Sequence, residues 1–168
     1  LQKIKESGAD ILFMPVYYEP AALILTQADQ IGLDVTFFGC DGLDGVIPQL
    51  GDSADLAEGV MLLTPFAPDS EEEKSKTFTE NYEAAYDGLV PTQFAADAYD
   101  AIYIIKAAIE HADATPDMSV SDLCEALKVA MTEITVDGVT GSMTWDASGA
   151  VSKDPKAVVI KDGAYAAM

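Results

Sequence analysis

Arginine is missing from this chain: all nine basic residues are lysines. Set against 29 acidic residues they leave a formal net charge of −20. Phosphate and base recognition rests on arginine and lysine patches. The imbalance therefore argues against nucleic acid as a partner, and against an anionic membrane surface. The acidity reads as a solvated surface, whose self-repulsion grows as pH rises further above the isoelectric point. Histidine is nearly absent too. His111 stands alone near the end of a helical pattern, where an imidazole faces solvent or the helix dipole, and no Ser-His-Asp or Cys-His arrangement is visible around it. Two cysteines, Cys40 and Cys124, cannot define a disulfide framework in a chain of 168 residues. With one distant histidine they do not match zinc-ligand spacing. No apolar run reaches the roughly eighteen residues of a membrane-spanning helix. Neither GxxxxGK[ST] nor GxGxxG occurs, so a nucleotide-phosphate site lacks support. Asp41-Gly42-Leu43-Asp44-Gly45 lacks the acidic spacing and closing glutamate of a calcium loop. No cofactor, metal or enzymatic chemistry is expected. No signal peptide is seen, and the chain opens at Leu1 inside an apparent helix that ends at Ser7, so it reads as a fragment of a longer protein.

What is present is a globular composition, 49% apolar, enough for one ordinary domain or two small lobes. Ile11 to Val16 is a continuously apolar run, the pattern of a parallel strand covered on both faces. Pro20 to Ile31 reads as a helix, started by proline in its first turn and stopped by Gly32. Val35 to Gly39 is a second strand, Leu43 to Leu50 a short helix, Gly51 to Ser53 a loop and Gly59 to Thr64 a third strand. Pro65 and Pro68 mark a hinge or linker. Ser70 with Glu73 matches a capping box before a helix whose stripe is Phe78, Tyr82, Ala85 and Tyr86. Thr92 to His111 is a long helix with Phe94, Ala98, Ile102, Ile105 and Ile109 at helical spacing. Ser119 or Ser121 caps a third, with Leu123, Ala126, Leu127 and Ala130 inward. Gly141 to Trp145 alternates like a strand, and Lys161-Asp162-Gly163 between two apolar runs signals a hairpin. The order is βαβαβ, hinge, three helices, short strands.

Two of these strands end in residues suited to a site: Tyr17-Tyr18-Glu19 after the first and Cys40-Asp41-Gly42 after the second. In open α/β sheets ligands bind outside the carboxyl ends of the strands, so Tyr17 and Asp41 are expected side by side. A carboxylate beside an aromatic hydroxyl suits a small ligand with a positive charge, through charge-assisted hydrogen bonds and packing. Taken singly, Tyr17 also fits a rim aromatic and Asp41 a helix N-cap; together they favour binding. Paired carboxylates of a glycosidase would arise by chance among 29 acidic residues.

The segments ADILFMPVYYEPAALILTQADQIGL, FFGCDGL, EGVMLLTPF, FAADAYDAIYIIKAAIE and GVTGSMTWDASG together resemble the second half of a type I periplasmic solute-binding protein of the branched-chain amino acid (Leu/Ile/Val)-binding family. The resemblance spans nearly the whole chain and keeps its order. It implies a partial type I periplasmic-binding-protein-like α/β fold, an open and mostly parallel sheet flanked by helices, plus a helical remnant of the other lobe. Residues 1–65 and 146–168 would form the C-terminal lobe and 66–145 part of the first, with hinge crossings near 65–68 and 139–145. It implies an extracytoplasmic, periplasmic or lipid-anchored, component of an ABC importer that closes two lobes on an amino acid and works with a permease. Tyr17 would be a cleft tyrosine, Asp41 the partner of the ligand's α-ammonium, Phe94 an apolar contact from the first lobe, and Tyr18 a neighbour of varying role. The contacts to the ligand carboxylate would lie outside this chain, which would hold about half a site. Helices of 70–133 without their usual sheet would expose apolar faces and favour association of the fragment, as a dimer, an exchanged or a repacked form. Two other readings stand beside it: a receiver-like signalling domain with Asp41 as phosphoacceptor, which lacks a lysine after the third strand, and a ligand-sensing domain of the same fold.

Overall fold

The computed structural model describes residues 1–168. The chain folds as two compact units, Leu1–Glu71 with Pro155–Met168, and Glu72–Asp154.

The first unit follows from its apolar runs. Helix α1 (Gln2–Ser7) ends at left-handed Gly8 and leads into β1 (Ile11–Met14). Helix α2 (Tyr18–Ile31) returns the chain, and Gly32 closes it in the left-handed conformation, its N–H bonded to Ala28 and Asp29 carbonyls. Strand β2 (Thr36–Gly39) then pairs parallel with β1 in the register Ile11↔Thr36 to Met14↔Gly39. A 3₁₀ turn over Asp41–Leu43, helix α3 (Val46–Leu50) and a second 3₁₀ run over Gly51–Ala57 lead to β3 (Met61–Thr64), parallel to β2. The expected loop at Gly51–Ser53 is thus the start of a 3₁₀ segment, with a kink at Ser53.

The sheet is completed from the other end of the chain. β7 (Lys156–Lys161) lies antiparallel to β3, and β8 (Ala164–Ala167) antiparallel to β7, giving the order β1-β2-β3-β7-β8. Asp162 and Gly163 make the two-residue turn with φ of 52° and 75°, the positive pair a type I′ hairpin needs.

Met14, Leu25, Leu43, Val46, Val60, Leu62, Val158 and Ile160 form the core of this unit, with Ala21 and Ala22 of α2 against them. Each large side chain so buried contributes about 1.5–3 kcal/mol relative to exposure. This core lies on one face of the sheet only. Ile11 and Phe13 of β1 point the other way and are 60% and 51% exposed. The apolar run of β1 is therefore covered on one face, not on both as its sequence suggests, because the helical segments after β1 and β2 share the face of Leu12 and Met14.

The chain leaves this unit later than its prolines suggest. Thr64 Oγ1 donates to the Phe66 carbonyl at 3.1 Å, and Phe66 and Ala67 are buried. Ala67 belongs to the core cluster, so the stretch through Pro65 and Pro68 is tied to the first unit.

The second unit packs α4 (Glu73–Ala85), α5 (Gln93–His111) and α6 (Val120–Met131) with a small antiparallel sheet of β4 (Val136–Gly138), β5 (Gly141–Trp145) and β6 (Val151–Ser152). Ser119 caps α6 by accepting the Asp122 N–H at 3.1 Å. Ser70, expected at the cap of a box with Glu73, lies two residues before the N-cap. Helix α4 begins at Glu73 after Glu72 in the N-cap position, without a side-chain cap, and the Ser70 N–H is spent on the Ala67 carbonyl in a turn. Helix α5 buries Gln93, Ala96, Asp100 and Ala108. Its larger stripe faces outward: Ile102 is 68% exposed, and Phe94, Ile105 and Ile109 are exposed with it.

Candidate functional site

Residues at the carboxyl ends of β1 and β2 are brought together by the parallel register. Met14 lies opposite Gly39, so the segments Pro15–Tyr17 and Cys40–Gly42 leave the sheet at the same level. Gly42 then packs directly on the Val16–Tyr17 backbone. A Cβ at Gly42 would come within 2.7 Å of the Val16 carbonyl oxygen and 3.4 Å of Tyr17 Cα. Only glycine allows that approach, and it sets Asp41 beside Tyr17.

Tyr17 is the N-cap residue of α2, in extended conformation, and its side chain is 65% exposed. Asp41 opens the 3₁₀ turn, is exposed, and accepts the Gly42 N–H on Oδ1 at 2.9 Å. An aromatic hydroxyl and a carboxylate thus stand accessible at one sheet end, in the position where such folds take ligands. Tyr18 is placed differently. It is half-buried and packs on the core, with its ring against Gly45, where an added Cβ would meet the ring at 3.3 Å. Phe94, the second residue of α5, belongs to the other unit and is 37% exposed.

Behind Asp41 the loop is anchored from the far edge of the sheet. Gly45 carries φ of 99° and holds the N-cap position of α3, with no side chain to cap it. Its N–H donates to the hydroxyl oxygen of Tyr165 on β8 at 2.7 Å, across 120 residues of sequence. Burial, and then the nearby carboxylate of Asp44, push the Tyr165 phenol up to about 12. Asp44 is itself buried. Sequence reasoning missed Tyr165 and Asp44. The only local signal is a lone tyrosine among the alanines of Ala164–Ala167.

The second unit holds a groove of about 780 Å³ lined by Phe78, Tyr99, Tyr103, Lys74, Lys106 and Asp137 among others. Its polar groups are engaged with one another. Lys74 Nζ donates to the Asp137 carbonyl at 2.6 Å and Lys106 pairs with Glu110. The buried Asp100 carboxylate accepts from Val139 N, Thr140 N and Thr140 Oγ1 at 2.8, 2.9 and 2.6 Å. The hydrogen bond shared with Tyr103 raises the Tyr99 phenol above its ordinary range, with burial adding to it. His111 contacts Glu133 at 2.9 Å on an exposed surface. Cys40 and Cys124 are free thiols. No helix is long and apolar enough to cross a membrane.

Comparison with known proteins identifies the family. A family model described as periplasmic binding protein matches residues 1–164. A leucine-, isoleucine-, valine-, threonine- and alanine-binding protein of Pseudomonas aeruginosa is 28% identical over 150 residues, covering 89% of this chain and 37% of that protein. A leucine-binding protein of Thermotoga maritima superposes with a TM-score of 0.78 at 25% identity, over 95% of this chain and 43% of its own. A branched-chain amino acid transporter substrate-binding protein of Streptococcus pneumoniae, solved with isoleucine, gives 0.77 at 27% identity, over 94% and 43%. The chain thus spans less than half the length of these relatives, which are binding proteins for small amino acids.

Proposed function

We propose that this chain, which belongs to the periplasmic binding protein family, supplies one wall of an amino-acid-binding cleft in an extracytoplasmic solute receptor of an ABC importer. The observation that carries this reading is the pair Tyr17 and Asp41, set side by side by the β1–β2 register and the Gly42 contact. Asp41 accepts hydrogen bonds from the ligand's α-ammonium, and charge on both partners strengthens them. Tyr17 covers the ligand with its ring and offers a polar tip. Tyr18 supports the loop behind Asp41 in addition to any contact of its own. The relatives bind leucine, isoleucine and similar residues, so a branched-chain amino acid is the ligand class. Binding in the whole protein shifts an open–closed equilibrium toward the closed form, which a permease then reads.

Calorimetry of the full-length polypeptide with leucine tests this. Asp41→Ala is expected to weaken binding about a hundredfold or more, since it leaves an ammonium without its charged partner. Unchanged affinity would refute the assignment.

A further inference from the structure

We propose that Tyr165 is a positioning residue for the binding site: its hydroxyl clamps the Asp41–Gly45 loop to the far edge of the sheet and so fixes the Asp41 carboxylate for the ligand. This deepens the reading above and rests on it for the ligand part.

Three features carry the inference. First, the clamp is specific. A single hydrogen bond of 2.7 Å joins Gly45 N to Tyr165 Oη, and Gly45 has no side chain with which to cap α3 itself. The Tyr165 hydroxyl instead takes the Gly45 N–H from another strand. Second, the loop is short and stiff between clamp and site. Only the 3₁₀ turn Asp41–Leu43 and buried Asp44 separate Gly45 from Asp41, and Gly42 is wedged on the Val16–Tyr17 backbone. Movement at Gly45 therefore reaches Asp41. Third, the arrangement is layered. Gly45 is held between the ring of Tyr18 at the start of α2 and the hydroxyl of Tyr165 on β8. The ring of Tyr165 packs on the core, so the substitution Tyr165→Phe removes the hydroxyl and leaves the packing.

The role is separable from the pocket itself. Tyr165 acts through Asp41, so its loss is felt at the ammonium end of the ligand. In the full-length polypeptide, Tyr165→Phe is expected to weaken leucine binding about three- to tenfold, the range of one neutral hydrogen bond. A second substitution, Asp41→Asn, supplies the discriminating readout. In the double-mutant cycle the two effects are expected to be strongly non-additive, with Tyr165→Phe nearly silent once Asp41 is changed. A residue that merely stabilises the fold would give additive effects, and additivity overturns the proposal. Amide exchange of Gly42–Gly45 in the 168-residue chain is the second measurement. It is expected to quicken selectively in Tyr165→Phe, and unchanged exchange there also overturns the clamp. Should the unsubstituted full-length polypeptide bind no amino acid, the functional assignment fails, and the exchange result alone decides whether the clamp exists.

Discussion

The two units satisfy their apolar patterns to different degrees. In the first, the large aliphatic residues Leu25, Leu43, Leu62 and Ile160 are buried together on one sheet face. In the second, α5 turns its alanines inward at 96 and 108 and leaves Ile102, Ile105 and Ile109 in solvent. Beside buried Phe78, Val136, Val139 and Met143, its interior holds a polar knot, the Asp100 carboxylate bonded by Val139 and Thr140. The contrast teaches that periodicity identifies which residues share a face, but not whether that face is covered. One unit buries large aliphatic side chains together, and the other adds to its smaller buried apolar set a buried charge held by three hydrogen bonds.

That contrast can be broken or sharpened by substitution. The largest effect is expected at Leu43, where Leu43→Ala should cost about 3–5 kcal/mol in urea unfolding, the range for a fully buried leucine. Ile102→Ala, at the centre of the exposed stripe, should cost under about 0.5 kcal/mol; comparable losses would show that the stripe is covered in solution. Next comes Asp100→Ala, expected to cost about 2–4 kcal/mol because two backbone N–H groups and a hydroxyl lose their acceptor. Trp145, the lone tryptophan and part of the second unit, should report this loss by fluorescence. Gly42→Ala should cost about 1–3 kcal/mol by pushing Asp41 away from Tyr17, a change confined to the first unit. Last comes a pH effect. The Tyr165 phenol, near 10 when unfolded and about 12 when folded, favours the folded state in its neutral form. Its contribution is complete below pH 10 and lost as pH rises toward 12. Alkaline titration of stability should therefore be flatter in Tyr165→Phe than in the unsubstituted chain.

Much of this was legible from local chemistry. Gly32 stops α2, Ser119 caps α6, and Asp162-Gly163 turns the last hairpin because each acts on backbone within a few residues. The neighbouring strand ends of Tyr17 and Asp41 followed from a strand–helix–strand order. What was not legible depends on distant partners. Ser70 has the residue type of a cap, but the chain first turns at Ala67–Ser70 and α4 begins only after Glu72. The short strands β4 and β6 exist only by pairing with β5. The anchor of the binding loop is a hydrogen bond spanning 120 residues, which leaves no period in the sequence. The face of β1 that stays open could not be told from the one that is covered, since all four of its residues are apolar.

The entry of β7 into the sheet has a consequence for the order of assembly. Val158 and Ile160 are fully buried in the core of the first unit, yet they follow the whole of the second unit in the chain. Synthesis runs from the N-terminus, so β3 emerges from the ribosome long before the strand that flanks it. The contiguous Glu72–Asp154 unit has all its residues available first. The first unit must wait, its β3 edge unpaired, until the terminal hairpin arrives.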